Sequence, residues 1–227
     1  MIKLPEYWLQ TPDVSPSHKD LEAFQKLYSE TVNQEDAAKI DYNLATPKWQ
    51  FLNYLVEKHG IVLHGSGNPS IKLFEPRKAE DISEFGNQKA VFAAADGVWP
   101  MFFAIIDREN YPVTVNNACV QFVKGGPLTG NSYYLFSISQ GMVKEKPWKK
   151  GVVYLLPPET FVEQPTMQFG EYTVRVKQQV SLVPVEPIAQ IEIEPADFPF
   201  LSKIREHDDS RMEEYATAMQ TGADWPE

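Results

Sequence analysis

From Ser17 onward, apolar residues recur at Leu21, Phe24, Leu27, Tyr28 and Val32, the spacing of one helix face. Ser17 is placed to cap that helix, and Asp20 falls where it completes a capping box. The stretch "ATPKWQFLNYLVEKHG" predicts a second helix, with Thr46 at its N-cap, Pro47 at the first helical position and Gly60 just past the end. Its apolar residues Trp49, Leu52, Leu55 and Val56 would pack on elements later in the chain. Beyond Gly60 the pattern is mostly strand: short β-branched and aromatic runs over residues 61–64, 71–74, 90–94, 113–123, 132–139, 151–156, 172–176, 180–185 and 188–193, punctuated by Gly, Pro and Asn. Residues 98–107, "VWPMFFAIID", fit either a buried strand or a short helix entered through Pro100. A last helix is expected over residues 201–219, with charges on most faces. Strands without regular intervening helices predict an α+β or mostly-β domain rather than a doubly wound sheet, and of the two α+β is the class expected. The pattern divides into a helical extension over residues 1–59, packed on a core of residues 60–227 that ends in the C-terminal helix.

Composition narrows the partners. The 227 residues, 43% of them hydrophobic, suffice for one large core. A net charge of -10 and a pI near 5.0 argue against tight non-specific binding to nucleic acid or anionic membrane, which needs clustered cations. The one basic cluster, Lys144, Lys146, Lys149 and Lys150, reads as a solvated loop. The single cysteine, Cys119, lies among apolar neighbours as a small core residue, and no cysteine pair has metal-ligand spacing. The N-terminus lacks the charged start and apolar run of a signal peptide, and no apolar run approaches the roughly 18 residues of a membrane span. A cytoplasmic protein is expected.

Three segments carry candidate chemistry. In "VLHGSG" a strand ends at His64 and runs into Gly65, Ser66 and Gly67, so an imidazole stands beside backbone that a ligand can approach closely. A histidine before a glycine-rich turn also serves structure alone, and no Gly-Lys-Ser or Gly-Lys-Thr comes after it to make a phosphate loop. In "FGNQKAVFAAADGVWPMFFAIIDR", Phe92, Trp99, Phe102 and Phe103 can line a flat ring-binding slot or simply fill the core. In "QFGEYTVRVKQQV", Glu171 stands at the entry of a strand with Tyr172, Val174 and Val176 on one face and Thr173, Arg175 and Lys177 on the other. Alternation puts Glu171 with the polar set, at an exposed strand end.

Taken in order, "HGS", "VFAA" and "GEYTVRVKQQV" resemble the catalytic core of the ADP-ribosyltransferase superfamily, in its diphtheria-toxin and poly(ADP-ribose) polymerase branch with a His, Tyr, Glu signature. The last segment is the most specific, because Glu171, Tyr172, Val174, Gln179 and Val180 look like that branch's Glu-Tyr-x-Val-x-x-x-x-Gln-Val strand pair in register. The resemblance covers about residues 60–194. It implies a split, twisted antiparallel β core with an NAD cleft between its halves, NAD being a substrate. It further implies that His64 bonds a ribose hydroxyl, that Gly65 meets the nicotinamide carboxamide beside Ser66, and that Glu171 is the catalytic carboxylate. A carboxylate fits there because loss of nicotinamide leaves an oxocarbenium-like ribosyl cation, which a nearby anion stabilises.

The chain also departs from that pattern. Val91 stands where the family's signature tyrosine would be, so the ring beneath nicotinamide is either missing or supplied by Phe92. The second stacking tyrosine would fall at Phe102 or Phe103, and the family's serine near Trp99 or Pro100. Related RNA 2'-phosphotransferases use His and Arg groups on a phosphorylated RNA end, for which Arg77 and Arg108 are the candidates. The resemblance therefore implies an NAD-dependent transferase with an unknown acceptor (protein, nucleic acid or small molecule), a non-catalytic binder of NAD or ADP-ribose, or a phosphotransferase-like enzyme. No metal is expected in any of the three.

Overall fold

A computed structural model describes residues 4–32, 38–78, 85–125, 130–169 and 171–226. The elements run β1 (Leu9–Gln10), α1 (His18–Val32), β2 (Ala38–Ile40), α2 (Lys48–His59), β3 (Val62–Ser66), β4 (Arg77–Lys78), β5 (Lys89–Ala94), α3 (Trp99–Ile105), β6 (Val115–Val123) and β7 (Tyr133–Ser139). They continue with α4 (Met142–Glu145), β8 (Gly151–Leu156), β9 (Phe161–Glu163), β10 (Met167–Phe169), β11 (Tyr172–Val176), β12 (Gln178–Ser181), β13 (Ala189–Ile193), β14 (Arg205–His207) and α5 (Met212–Thr221). The class is α+β, with one antiparallel-dominated sheet in the order β1-β7-β6-β11-β10 and a second in the order β2-β13-β8-β3-β5-β12-β9. β14 adds to β7, and β4 to β5. Among the described residues, only β2 with β13 and β14 with β7 pair in parallel.

One extended segment, residues 172–181, belongs to both sheets. Its first half pairs with β6 and its second half with β5. Between them Lys177 donates its N–H to the Cys119 carbonyl at 3.0 Å and accepts from the Ala95 N–H at 2.8 Å. The backbone is thus satisfied across the join, which lets the strand leave one sheet for the other without orphaned groups.

Local chemistry explains the helices. At α1 the Ser17 N–H donates to Asp20 Oδ2 at 2.8 Å and the Asp20 N–H to Ser17 Oγ at 3.2 Å, the predicted capping box. Thr46 does not cap α2: its hydroxyl donates to Asp20 Oδ1 at 2.5 Å, which ties the two helix starts together, and α2 begins behind Pro47 without a side-chain cap. Gly60, at φ 67°, ends α2 in the left-handed region as expected. The ambiguous residues 98–107 hold the helix α3, because Asp96 Oδ1 accepts from the N–H groups of Val98 and Trp99, each at 2.9 Å.

Other expectations are revised. Residues 71–74 form no strand, and only Phe74 bridges, to Val185. The helix expected over 201–219 is a 3-10 turn at Leu201–Lys203, then β14, a second 3-10 turn at Asp209–Arg211, and α5. Burial of Phe198, Phe200 and Ile204 against the β7 aromatics overrides the helical pattern there. The first 59 residues supply β1 to one sheet and β2 to the other, and Trp49, Leu52 and Leu55 of α2 are buried in the main core.

That core surrounds α3, between the sheets. A Cβ on Gly65 would fall 1.7 Å from the Pro100 carbonyl oxygen, and one on Gly151 would fall 1.9 Å from that of Ala104. These two glycines let α3 lie flush on β3 and β8. A smaller cluster, including Val62, Phe74, Val91, Ala93 and Tyr154, covers the opposite face of the same strands. Alternation along β3 sends Leu63 and Gly65 towards α3, and Val62 and His64 to this second face.

Candidate functional site

The strands β3 and β5 pair at a single position, Leu63 with Ala94, and then separate. Further along, β4 pairs with β5, with Arg77 opposite Ala90 and Lys78 opposite Lys89. Among the described residues, β5 positions 91–93 therefore have no strand partner on the edge towards β3. The His64 ring fills this notch, its Nδ1 lying 2.7 Å from the Phe92 carbonyl oxygen. A carbonyl can only accept, so Nδ1 carries the proton and Nε2 presents a lone pair. Burial pushes the His64 pKa down from its ordinary value; the Phe92 carbonyl opposes this, and the positive charge of Arg77 adds to the lowering. The ring is thus neutral at pH 7, half-buried, and tilted against Phe74 at 4.8 Å between centroids. Nε2 has no protein partner among the described residues.

The loop after His64 is fastened from several sides. Tyr154 donates to the Asn68 carbonyl at 2.7 Å and accepts from the Ile71 N–H at 3.0 Å. Ser66 Oγ accepts from the Asn68 N–H at 3.1 Å, and Asn68 Oδ1 from the Ser70 N–H at 2.9 Å. Ser66, a candidate ligand contact, thus ties its oxygen to the turn as an acceptor, which leaves its O–H available as a donor.

Glu171 reaches this region only through the shared strand. Gln179 opposes Ala93 and Ser181 opposes Val91, so both leave the strand on the His64 face. Arg175, on the same side of the strand, makes an ion pair with Glu163, which Gln179 Nε2 also approaches at 3.5 Å. Alternation carries that side on to Thr173 and Glu171. Roughly 26 Å of extended chain, at about 3.3 Å per residue, separates Glu171 from Gln179. The Glu171 carboxylate is exposed and lies 2.5 Å from Lys124 Nζ. His64 and Glu171 share no contact; the polar side chains of Gln179, Glu163 and Arg175 stand between them.

The aromatic candidates fare differently. Phe102 is fully buried, 4.8 Å from Phe136 and 6.0 Å from Phe198 between ring centroids, so it is a core residue and not a stacking platform. Phe103 is half-buried on α3, with the Arg108 guanidinium 5.8 Å over its ring, and α3 packs on the face of β3 opposite His64. Phe92 contributes its carbonyl; alternation sends its partly exposed ring away from Val91 and Ala93. Val91, at the signature tyrosine's place, is buried in the second cluster. Trp99 donates from Nε1 to Asn117 Oδ1 at 2.6 Å. Cys119 is fully buried, and burial beside Asp96 pushes its thiol up, the opposite of what a nucleophile needs. Lys149 is held by Asp107 and Glu109, and Lys150 by Glu192 and Glu194, so half of the basic cluster is neutralised.

Sequence reasoning missed Phe74, Tyr154, Arg175 and Glu163 around the notch. They arrive from three strands and a loop by pairing between distant segments, and no local pattern marks them. It also missed a Ser-His-Asp contact: His207 Nδ1 lies 2.9 Å from Ser137 Oγ and Nε2 lies 3.2 Å from Asp209 Oδ1. Ser137 is fully buried, so the set fastens β14 to β7 and meets no substrate. No helix among the described residues is long and apolar enough to cross a membrane. No protein-family model matches the chain, and no curated protein or solved structure matches it either.

Proposed function

We propose that this is an ADP-ribosyltransferase-like protein that binds NAD across the notch at His64, cleaves the nicotinamide–ribose bond and passes ADP-ribose to an acceptor. The observation that carries the reading is the register of three neighbouring strands: Leu63 opposes Ala94, which opposes Gln178. Segments widely separated in sequence, which resemble one family in order, thus lie side by side. The tautomer of His64 adds to this. A neutral Nε2 accepts a hydrogen bond and cannot donate one, which suits a ribose hydroxyl and repels a phosphate oxygen. That favours the NAD reading over a phosphotransferase, as does Arg108, which lies over Phe103.

In this reading the ribose hydroxyl donates to His64 Nε2, and the carboxamide meets the backbone edge that opens after Leu63. The glycosidic bond breaks with its electron pair leaving on nicotinamide, which departs neutral. Glu171 stands apart from His64, so in this reading catalysis requires the start of the shared strand to swing the carboxylate, released from Lys124, to the ribosyl cation, where it also takes the proton of the attacking acceptor. Purified protein incubated with NAD is expected to release nicotinamide at a rate that Glu171→Gln lowers by at least about a hundredfold, in the range of a lost electrostatic group. Release unaffected by Glu171→Gln would exclude the mechanism. Saturable NAD binding without release would instead support a non-catalytic binder, the second reading, which the Lys124–Glu171 ion pair and the buried Val91 favour.

A further inference from the structure

We infer that the Glu163–Arg175 ion pair sets the angle at which the shared strand passes from the first sheet to the second, and so acts as a positioning pair for Glu171 relative to the His64 notch. The use of that geometry rests on the NAD reading; the geometry itself rests on the strands.

Residues 161–169 repeat what the shared strand does. β9 ends the second sheet beside β12, and β10 ends the first sheet beside β11, so this flanking chain also crosses between the sheets. The two crossings are out of step. Glu163 opposes Gln179 and Met167 opposes Val174, which leaves three residues between the pairs on the flank but four, 175–178, on the shared strand. An extra residue on one strand makes a β-bulge, which bends that strand and increases its twist. The flank places Pro165 at the crossing, where it has no N–H to give to a ladder. Backbone bonds hold the bulge on both sides: the Gln164 N–H donates to the Gln178 carbonyl at 3.1 Å, and the Lys177 N–H to that of Cys119 at 3.0 Å.

Arg175 is the first residue of the bulge, and its guanidinium reaches across the crossing to Glu163. The pair therefore ties the edge strand of one sheet to an inner strand of the other. Gln179 Nε2 approaches the same carboxylate oxygen at 3.5 Å, so one carboxylate gathers donors from both ends of the bulge. The Arg175 side chain is 21% exposed, and the pair is screened less than the more exposed Lys124–Glu171 pair. Glu171 lies roughly 20 Å along the strand from Lys177, at about 3.3 Å per residue. A turn of about ten degrees at the bulge thus moves the carboxylate by roughly 3–4 Å. Any swing of Glu171 towards the notch passes through this bend, and Glu163 with Arg175 holds it.

Spin labels on Gln168→Cys, opposite Thr173 of β11, and on Lys72→Cys, in the loop after His64, report the bend in the full chain by pulsed electron–electron distance measurement. Both positions are exposed, whereas Cys119 is fully buried and takes no label. The expected result is one narrow distance distribution that Glu163→Gln broadens or shifts, and that the exchanged pair, Glu163→Arg with Arg175→Glu, restores. In the unlabelled chain Glu163→Gln should lower kcat for nicotinamide release roughly two- to fivefold, the range of a part-exposed ion pair, with KM for NAD unchanged. The exchanged pair should recover that loss as well. Glu163 is half-exposed, so Glu163→Gln should melt close to wild type, which a parallel melt checks. A distance distribution that Glu163→Gln leaves as it was overturns the inference, whatever the turnover. A broadened distribution with kcat unchanged overturns the positioning role and leaves the NAD reading in place. A broadened distribution in a protein that releases no nicotinamide even as wild type overturns the NAD reading and leaves the pair's hold on the strand standing.

Discussion

At the scale of single residues the chemistry concentrates on His64. Its unusual feature, a half-buried neutral ring with Nδ1 committed to Phe92, depends on a strand separation that no local sequence encodes. The sequence does mark the residue, since a histidine ahead of Gly65 is conspicuous in a chain with four histidines. It does not mark the tautomer. The lowered pKa makes a testable contribution to stability. A histidine whose folded pKa lies below its unfolded value binds fewer protons when folded, so its cost is absent above about pH 6.5 and grows as pH falls through that value. His59 and His207 are lowered too and act in the same direction. Melting temperatures measured from pH 7.5 to 5 should therefore fall for the wild type, and fall less steeply for His64→Gln. Equal slopes would mean that the ring is not held neutral. Ligand binding through the hydroxyl should weaken over the same window, because protonation turns Nε2 into a donor.

At the scale of elements the periodic patterns hold wherever local chemistry decides, and give way wherever packing does. The α1 capping box, the Gly60 stop and the strands over 151–156 and 172–176 are all legible as written. Thr46 leaves the N-cap its position suggests because Asp20, far away in sequence, competes for its hydroxyl. The close seat of α3 on β3 and β8 is not legible either, for "HGS" gives no hint that Gly65 faces a helix. That seat supplies a sharp comparison. Gly65→Ala drives a methyl into the rigid Pro100 carbonyl and should cost about 1–3 kcal/mol or more, read as a lower urea midpoint. Gly67→Ala meets only the flexible end of Lys149, at 2.7 Å from Cε, and should cost much less. If the two variants unfold at the same midpoint, the packing account of Gly65 is wrong, and its value lies in ligand approach alone.

At the scale of the whole molecule, two sheets share the segment 172–181, and the C-terminal region closes the first sheet. Neither feature can be read from one sequence, because both are set by pairings between distant strands. His207 is the fastener: buried, pushed down in pKa by that burial, it presents Nε2–H to Asp209 and accepts at Nδ1 from Ser137, with Thr114 Oγ1 3.0 Å from Nε2. Aromatic contacts extend the join, since Trp225 packs 4.6 Å from Tyr215 and 5.4 Å from Tyr7 between ring centroids. Removing the ring in His207→Ala leaves the buried Ser137 hydroxyl without that partner and should cost about 1–3 kcal/mol. The loss should also be local. Amide exchange over β14 and α5 should accelerate, whereas the β3, β5 and β12 amides should keep their protection, because their hydrogen bonds lie in the other sheet. Ligand affinity at His64 should then be unchanged in His207→Ala. A parallel loss of protection at β3 would mean that the notch is held open by the C-terminal closure, and that the two sheets act as one cooperative unit.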